Sequence, residues 1–219
     1  MTSRVRIAAF GAVLAASGCA QGASPFGGLM PALQRGAALD GEPVRTLALY
    51  GGAIRVRAPE GYCIDLNASR SRDGFALMAG CALISDAEIM PAIDALIVVQ
   101  AGADGTAMVI DNAADLAALL RTDQGRDLLA ASGQGGDVTV GAVMGGPNLI
   151  SVRFDDASTP LVDGTSPDTM RAFLDVGARL VVVTVREYDR NPLTDTQALR
   201  LLRQAVTQIK DVNAPARRS

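Results

Sequence analysis

The strongest hydrophobic pattern in the chain is Arg179-Leu180-Val181-Val182-Val183-Thr184-Val185-Arg186, rich in β-branched residues and apolar on both faces for most of its length. Such a run predicts a strand covered on both sides, at the centre of a sheet. A different period follows it. Thr194 and Gln197 have the spacing of a capping box, and Leu199, Leu202, Val206 and Ile209 then recur along one side of a helix. That helix is expected over 195–211, lying across the sheet and closing the core.

Upstream, shorter apolar runs alternate with turn signals. Residues 44–50 and 54–57 flank Gly51-Gly52 and predict an opening hairpin. Residues 62–66 and 75–81 predict two further strands, each carrying a cysteine. Residues 95–101 and 106–110 flank Gly102-Ala103-Asp104-Gly105 and predict a second hairpin. Asp111 and Asn112 are placed to cap a helix over 113–121, with Leu116, Leu119 and Leu120 on one face, and Asp123 starts a second helical segment to Ala131. Beyond the glycines at 133–136, residues 138–143 alternate as a strand, turn at Gly145-Gly146-Pro147-Asn148 and return over 149–154. Ser166-Pro167-Asp168 predicts a short helix through Leu174, with proline in its first turn. Strands outnumber helices and mostly join through short turns. The expected class is therefore α+β: a mostly antiparallel sheet with helices packed on it and the C-terminal helix closing the core.

The N-terminus carries a separate signal. Arg4 and Arg6 precede an apolar stretch over 7–16 that only Gly11 interrupts, the charged and apolar order of a signal peptide. The stretch is far shorter than the roughly 20 residues a spanning helix needs. It ends in Ala16, Ser17 and Gly18, directly before Cys19. Small residues before a cysteine resemble the bacterial lipobox, in which leucine usually stands at the place Ala16 holds here. The resemblance implies that the Cys19 thiol receives a diacylglyceryl group, that residues 1–18 are removed, and that the new amino terminus is acylated. Two or three such chains, at about 0.8 kcal/mol per buried methylene, hold a protein durably at a membrane. Ala20 stands where inner-membrane lipoproteins of Gram-negative bacteria commonly carry Asp, so the resemblance implies the outer membrane, facing the periplasm. The alternative is an ordinary secretory signal cut after Ala20 or Ala23.

Cleavage before Cys19 takes the 20 basic groups to 18 against 23 acidic ones, a charge of −5. Nothing in that balance favours nucleic acid, which calls for a basic patch. In an oxidising compartment the two remaining cysteines, Cys63 and Cys81, are expected to form a disulfide. A loop of that length contributes roughly 3 kcal/mol in the chain-entropy model. Two buried free thiols, or a metal or redox pair, are the competing readings. The glycine- and proline-rich residues 19–43 read as a tether, although 29–39 could dock as a short helix. Residues 44–212 form a single domain and 213–219 a tail.

Ala58-Pro59-Glu60-Gly61-Tyr62, followed by strands and ending in a long strand and a C-terminal helix, resembles the PsbP-like α/β sandwich and periplasmic lipoproteins of alphaproteobacteria. The resemblance covers about residues 44–212. It brings no catalytic residues and implies a binding role.

Candidate chemistry is sparse. The chain has no histidine, which removes Ser-His-Asp and Cys-His arrangements and zinc sites built on imidazole. Lys210, the single lysine, sits near the end of the last helix, where a cation is favourable, and leaves a Ser-Lys dyad only formally open. Gly133-Gln134-Gly135-Gly136 follows a predicted helix and lacks the Gly-Lys-Ser/Thr of a phosphate cradle. Asp155, Asp156 and Asp163 lack the spacing of a calcium loop and read as a solvated hairpin end. No catalytic, metal or cofactor residue is assigned.

A binding surface is sought on loops braced by the disulfide or the central strand. Arg70, Arg72 and Asp73 lie within the disulfide loop, and Arg186, Glu187, Asp189 and Arg190 follow the central strand, with plain surface charge as the other reading. Tyr50, Tyr62 and Tyr188 lie near strand ends, as partner anchors or as packing at the core's edge. Arg70, Arg72, Tyr188 and Arg190 are the candidate contact residues. The functional expectation is a membrane-anchored periplasmic lipoprotein with a binding or structural role in the cell envelope, contacting an envelope protein. The alternatives are a carboxylate-based enzyme acting on a glycan, or a small-ligand carrier.

Overall fold

The computed structural model describes residues 42–86, 89–158 and 162–215. Cys19, the leader 1–18, tether residues 20–41 and tail residues 216–219 lie outside the described residues. The opening hairpin forms as expected: β1 (Thr46–Leu49) and β2 (Ile54–Arg57) pair antiparallel around a turn at Tyr50–Gly52 and make a two-stranded sheet of their own. The other strands are β3 (Tyr62–Arg70), β4 (Phe75–Gly80), β5 (Ala95–Ala101), β6 (Val138–Gly146), β7 (Leu149–Asp156), β8 (Thr165–Val176) and β9 (Arg179–Tyr188). They form one seven-stranded antiparallel sheet in the order β3-β4-β5-β9-β8-β7-β6. The class is α+β, and β9 is the middle strand, as its two apolar faces require.

The C-terminal helix, α4 (Asp195–Asn213), opens with the Thr194–Gln197 capping box and packs on one face of the sheet. Its buried side, Ala198, Leu201, Leu202, Ala205, Val206 and Ile209, meets Val181, Val183 and Val185 of β9 and Met170, Ala172 and Leu174 of β8 in one core that also takes in the opening hairpin. The helix is fastened at both ends. Buried Glu187 accepts the Leu193 amide at 2.8 Å, and Asn213 bonds both the amide and the carbonyl of Arg55. On the opposite face, α2 (Val109–Leu119) and α3 (Asp123–Leu129) cover the β7 end, where Leu116, Leu120 and Leu129 pack on Ile150, Val152 and Phe154.

Four local expectations are corrected. Residues 106–110 do not return as a strand, because both edges of β5 are already taken, by β4 and β9. Thr106 instead turns the chain, its hydroxyl accepting the Leu180 amide at 3.1 Å, and α2 starts at Val109. The cap of α2 is therefore not Asp111 or Asn112, which lie inside the helix. Asp175 on β8 provides it, accepting the amides of Met108 and Ile110 at 2.9 Å each. Residues 166–174 are strand and not helix: the period is two, and β8 is paired on both sides. Pro167 falls where the β8–β9 register shifts, a place a sheet tolerates proline. Finally, Cys81 is not within β4 but is the first residue of the short helix α1 (Cys81–Ile84).

Candidate functional site

A concave surface follows the outward side of α4. One wall is the exposed side of the helix, with Arg200 and Gln204, and the other is built from Glu60 and the segment 89–93. The groove has two sections, of about 410 and 570 Å³, joined at Glu60, Arg200 and Gln204.

Local geometry holds the far wall in place. Gly61, at φ +79°, lets Pro91 lie directly against the backbone, and Gly80 receives the Pro91 ring and the Met90 sulfur in the same way. The Ile89 carbonyl accepts the Ala82 amide at 3.0 Å, tying the wall to α1. Behind α1, Cys63 of β3 and Cys81 are joined as a disulfide, with 4.7 Å between their Cα atoms. Against this brace Ile89 and Met90 stand 54% and 45% exposed, and Leu83 on α1 is 41% exposed. These exposed apolar side chains make the wall a candidate contact surface.

The floor of the groove is Tyr62, whose hydroxyl donates to the Ile93 carbonyl and whose phenol burial pushes above its ordinary value. Beside it Asp94 pairs with Arg190 at 2.8 Å, while the second oxygen of Asp94 is buried with no hydrogen-bond partner among the described residues. Arg190 also lies 4.3 Å from the Tyr188 ring centroid. Burial raises the Tyr188 phenol, Asp94 adds to that, and Arg190 opposes it. The groove thus offers an apolar wall facing a guanidinium wall. Among the described residues that line it, Glu60 is the carboxylate.

The four candidate contact residues do not share one surface. Arg70 and Arg72 sit at the turn between β3 and β4, where Arg70 lies 4.5 Å from the Phe75 ring and 3.8 Å from Asp73. Phe75 is in register with Gln100, and Gln100 with Val182, six residues before Tyr188. At the rise of a strand that is about 20 Å, so Tyr188 and Arg190 belong to the opposite end of the sheet. They adjoin the groove wall through Asp94. Arg186 and Glu187 are not surface charges, each being 5% exposed. Asp156 is likewise buried, while Asp163 is exposed. Lys210 reaches the Asn148 carbonyl at 3.5 Å and braces the β6–β7 turn.

Ile89, Met90 and Arg200 are not legible as a site in the sequence. Their apolar or charged character shows in the chain, but their meeting depends on three segments far apart in sequence.

No family model matches the chain, and no curated protein sequence matches it. Among solved structures it is similar to the Saccharomyces cerevisiae Ran-binding protein Mog1p, at 13% identity and a TM-score of 0.41, over 78% of this chain and 95% of that one. A single-substitution mutant of Mog1 gives 13% identity and a TM-score of 0.42, over 78% of this chain and 98% of that one.

Proposed function

We propose that this chain is a lipid-anchored periplasmic protein that binds another protein of the cell envelope through the groove between α4 and the disulfide-braced segment 89–93. The anchor rests on the signal-peptide pattern and its small residues before Cys19. The observation that carries the binding role is the exposure of Ile89 and Met90 opposite Arg200. An extended partner segment with apolar side chains and an acidic one fits that pairing: the apolar groups cover Met90 and Ile89, and the acid meets Arg200 and Arg203. Glu60 on the near rim disfavours a second acid at that end and sets the orientation.

Photo-crosslinking in intact cells tests this. With Met90 replaced by a photoreactive phenylalanine, one discrete adduct is expected, and Arg200→Glu should abolish it while leaving the folded amount unchanged. An adduct that survives Arg200→Glu, or none at all, would remove the groove as the contact surface.

A further inference from the structure

A smaller cavity opens on the other flank of α4, where the helix passes β6 and β7. Its floor is a single cross-strand row, Met144 of β6, Ser151 of β7 and Ala172 of β8, held opposite one another by the sheet. On the face that meets α4, the neighbours of Ser151 along β7 are Leu149 and Arg153, and those of Ala172 along β8 are Met170 and Leu174. The two small side chains therefore sit in a dip between larger ones. The space left under the helix is about 140 Å³, walled by Leu199, Leu202 and Val206.

Two polar groups face this space. Ser151 is 6% exposed, and strand alternation turns it toward α4 with Leu149, away from Ile150 and Val152, which pack on the other face. Its hydroxyl makes no hydrogen bond with any of the described residues and is left to the cavity. Buried hydroxyls ordinarily have a partner, because water is lost on burial and must be replaced. Arg203 lines the mouth, exposed, and forms no ion pair with any of the described carboxylates. None of the described residues lining the cavity is acidic. Lys210, two turns further along the same side of α4, keeps the rim positive.

We propose that this cavity binds a small hydroxylated monocarboxylate whose apolar body is the size of a benzene ring. An apolar cavity of about 150 Å³ holds one benzene molecule, so the volume fits such a body and is too small for a long acyl chain. The carboxylate stays at the mouth, where the planar Arg203 guanidinium matches it through two parallel hydrogen bonds. Met144, Leu202 and Val206 cover the ring, and the ligand hydroxyl supplies the partner that Ser151 lacks. A bare inorganic anion would leave the apolar walls uncovered. Leu199 and Arg203 form the ridge between this cavity and the groove, but Ser151 and Ala172 belong to the cavity and not to the groove. The site therefore stands independently of the function assigned to the groove.

The test is an NMR titration of the mature protein with para-hydroxybenzoate, benzoate and sodium chloride at matched ionic strength. Para-hydroxybenzoate is expected to shift the amides of Ser151, Ala172 and Leu202 saturably, and sodium chloride to leave them in place. Arg203→Gln, an exposed change that leaves the core intact, is expected to weaken binding roughly tenfold. Ser151→Ala is expected to remove a preference for para-hydroxybenzoate over benzoate of roughly fivefold. Ala172→Leu fills the dip and is expected to abolish binding of both. The proposal is overturned by no saturable shift with either carboxylate, by binding that Arg203→Gln leaves unchanged, or by shifts confined to Glu60 and the 89–93 wall. Loss of the crosslink from position 90 bears on the groove alone and leaves this titration as the measure of the cavity.

Discussion

The Cα of Pro91 lies 2.7 Å from the point where a β-carbon on Gly61 would stand. No side chain fits in that gap, and the positive φ of Gly61 is itself costly for any other residue. Gly61→Ala must therefore push the 89–93 wall away from the β2–β3 turn. The expected outcome is a folded protein destabilised by about 1–3 kcal/mol in urea unfolding. The crosslink from position 90 should be lost with it.

Cys63 and Cys81 are 18 residues apart in sequence and support the same wall through α1. Replacing both by alanine should cost about 3 kcal/mol, seen as a lower urea midpoint. The Ala82 amide, which bonds Ile89, should exchange its hydrogen faster than in the oxidised protein. An unchanged midpoint would mean that the unfolded chain gains little freedom from losing the link.

Asp175 caps a helix that is distant from it in sequence, through the amides of Met108 and Ile110. Asp175→Ala leaves both without that acceptor, at an expected cost of about 1–3 kcal/mol. Amide exchange should rise first at the start of α2, before any change in α4.

Burial holds the phenols of Tyr62 and Tyr188 above their ordinary value. The unfolded chain releases those protons near pH 10 while the folded protein keeps them. The native state then binds more protons, so this contribution to stability is complete below about pH 10 and falls as pH rises beyond it. Absorbance at the phenolate band should show these two tyrosines ionising only together with the loss of circular dichroism. Arg171, brought down to about 9, acts in the opposite sense, since its folded form releases a proton first. Arg171→Met should therefore make the alkaline fall in stability steeper.

The elements legible in the sequence were those whose own residues decide them. The β-branched run of β9 is apolar on both faces wherever it is placed, and the Thr194–Gln197 box needs only its own four residues. The Cys63–Cys81 disulfide was expected from an even pair of cysteines once the leader pattern is read as export. The misread elements were decided from outside. Ser166-Pro167-Asp168 has the composition of a helix start, yet β7 and β9 both pair with that segment and its alternation of Met170, Ala172 and Leu174 faces the core. The glycine turn after β5 has hairpin chemistry, but β9 occupies the edge a hairpin partner would need. Arg186 read as surface charge because its strand was known and its cover was not. The groove joins the turn at Glu60, the segment 89–93 and α4, a convergence that no local pattern encodes.

The lipid anchor proposed at Cys19 is tested most directly by the intact mass of the protein extracted from membranes. The predicted result is a mature chain beginning at Cys19 and carrying a thioether-linked diacylglyceryl group. A chain that begins at Gln21 or Ser24 without acyl mass, or one that retains Met1, would contradict it.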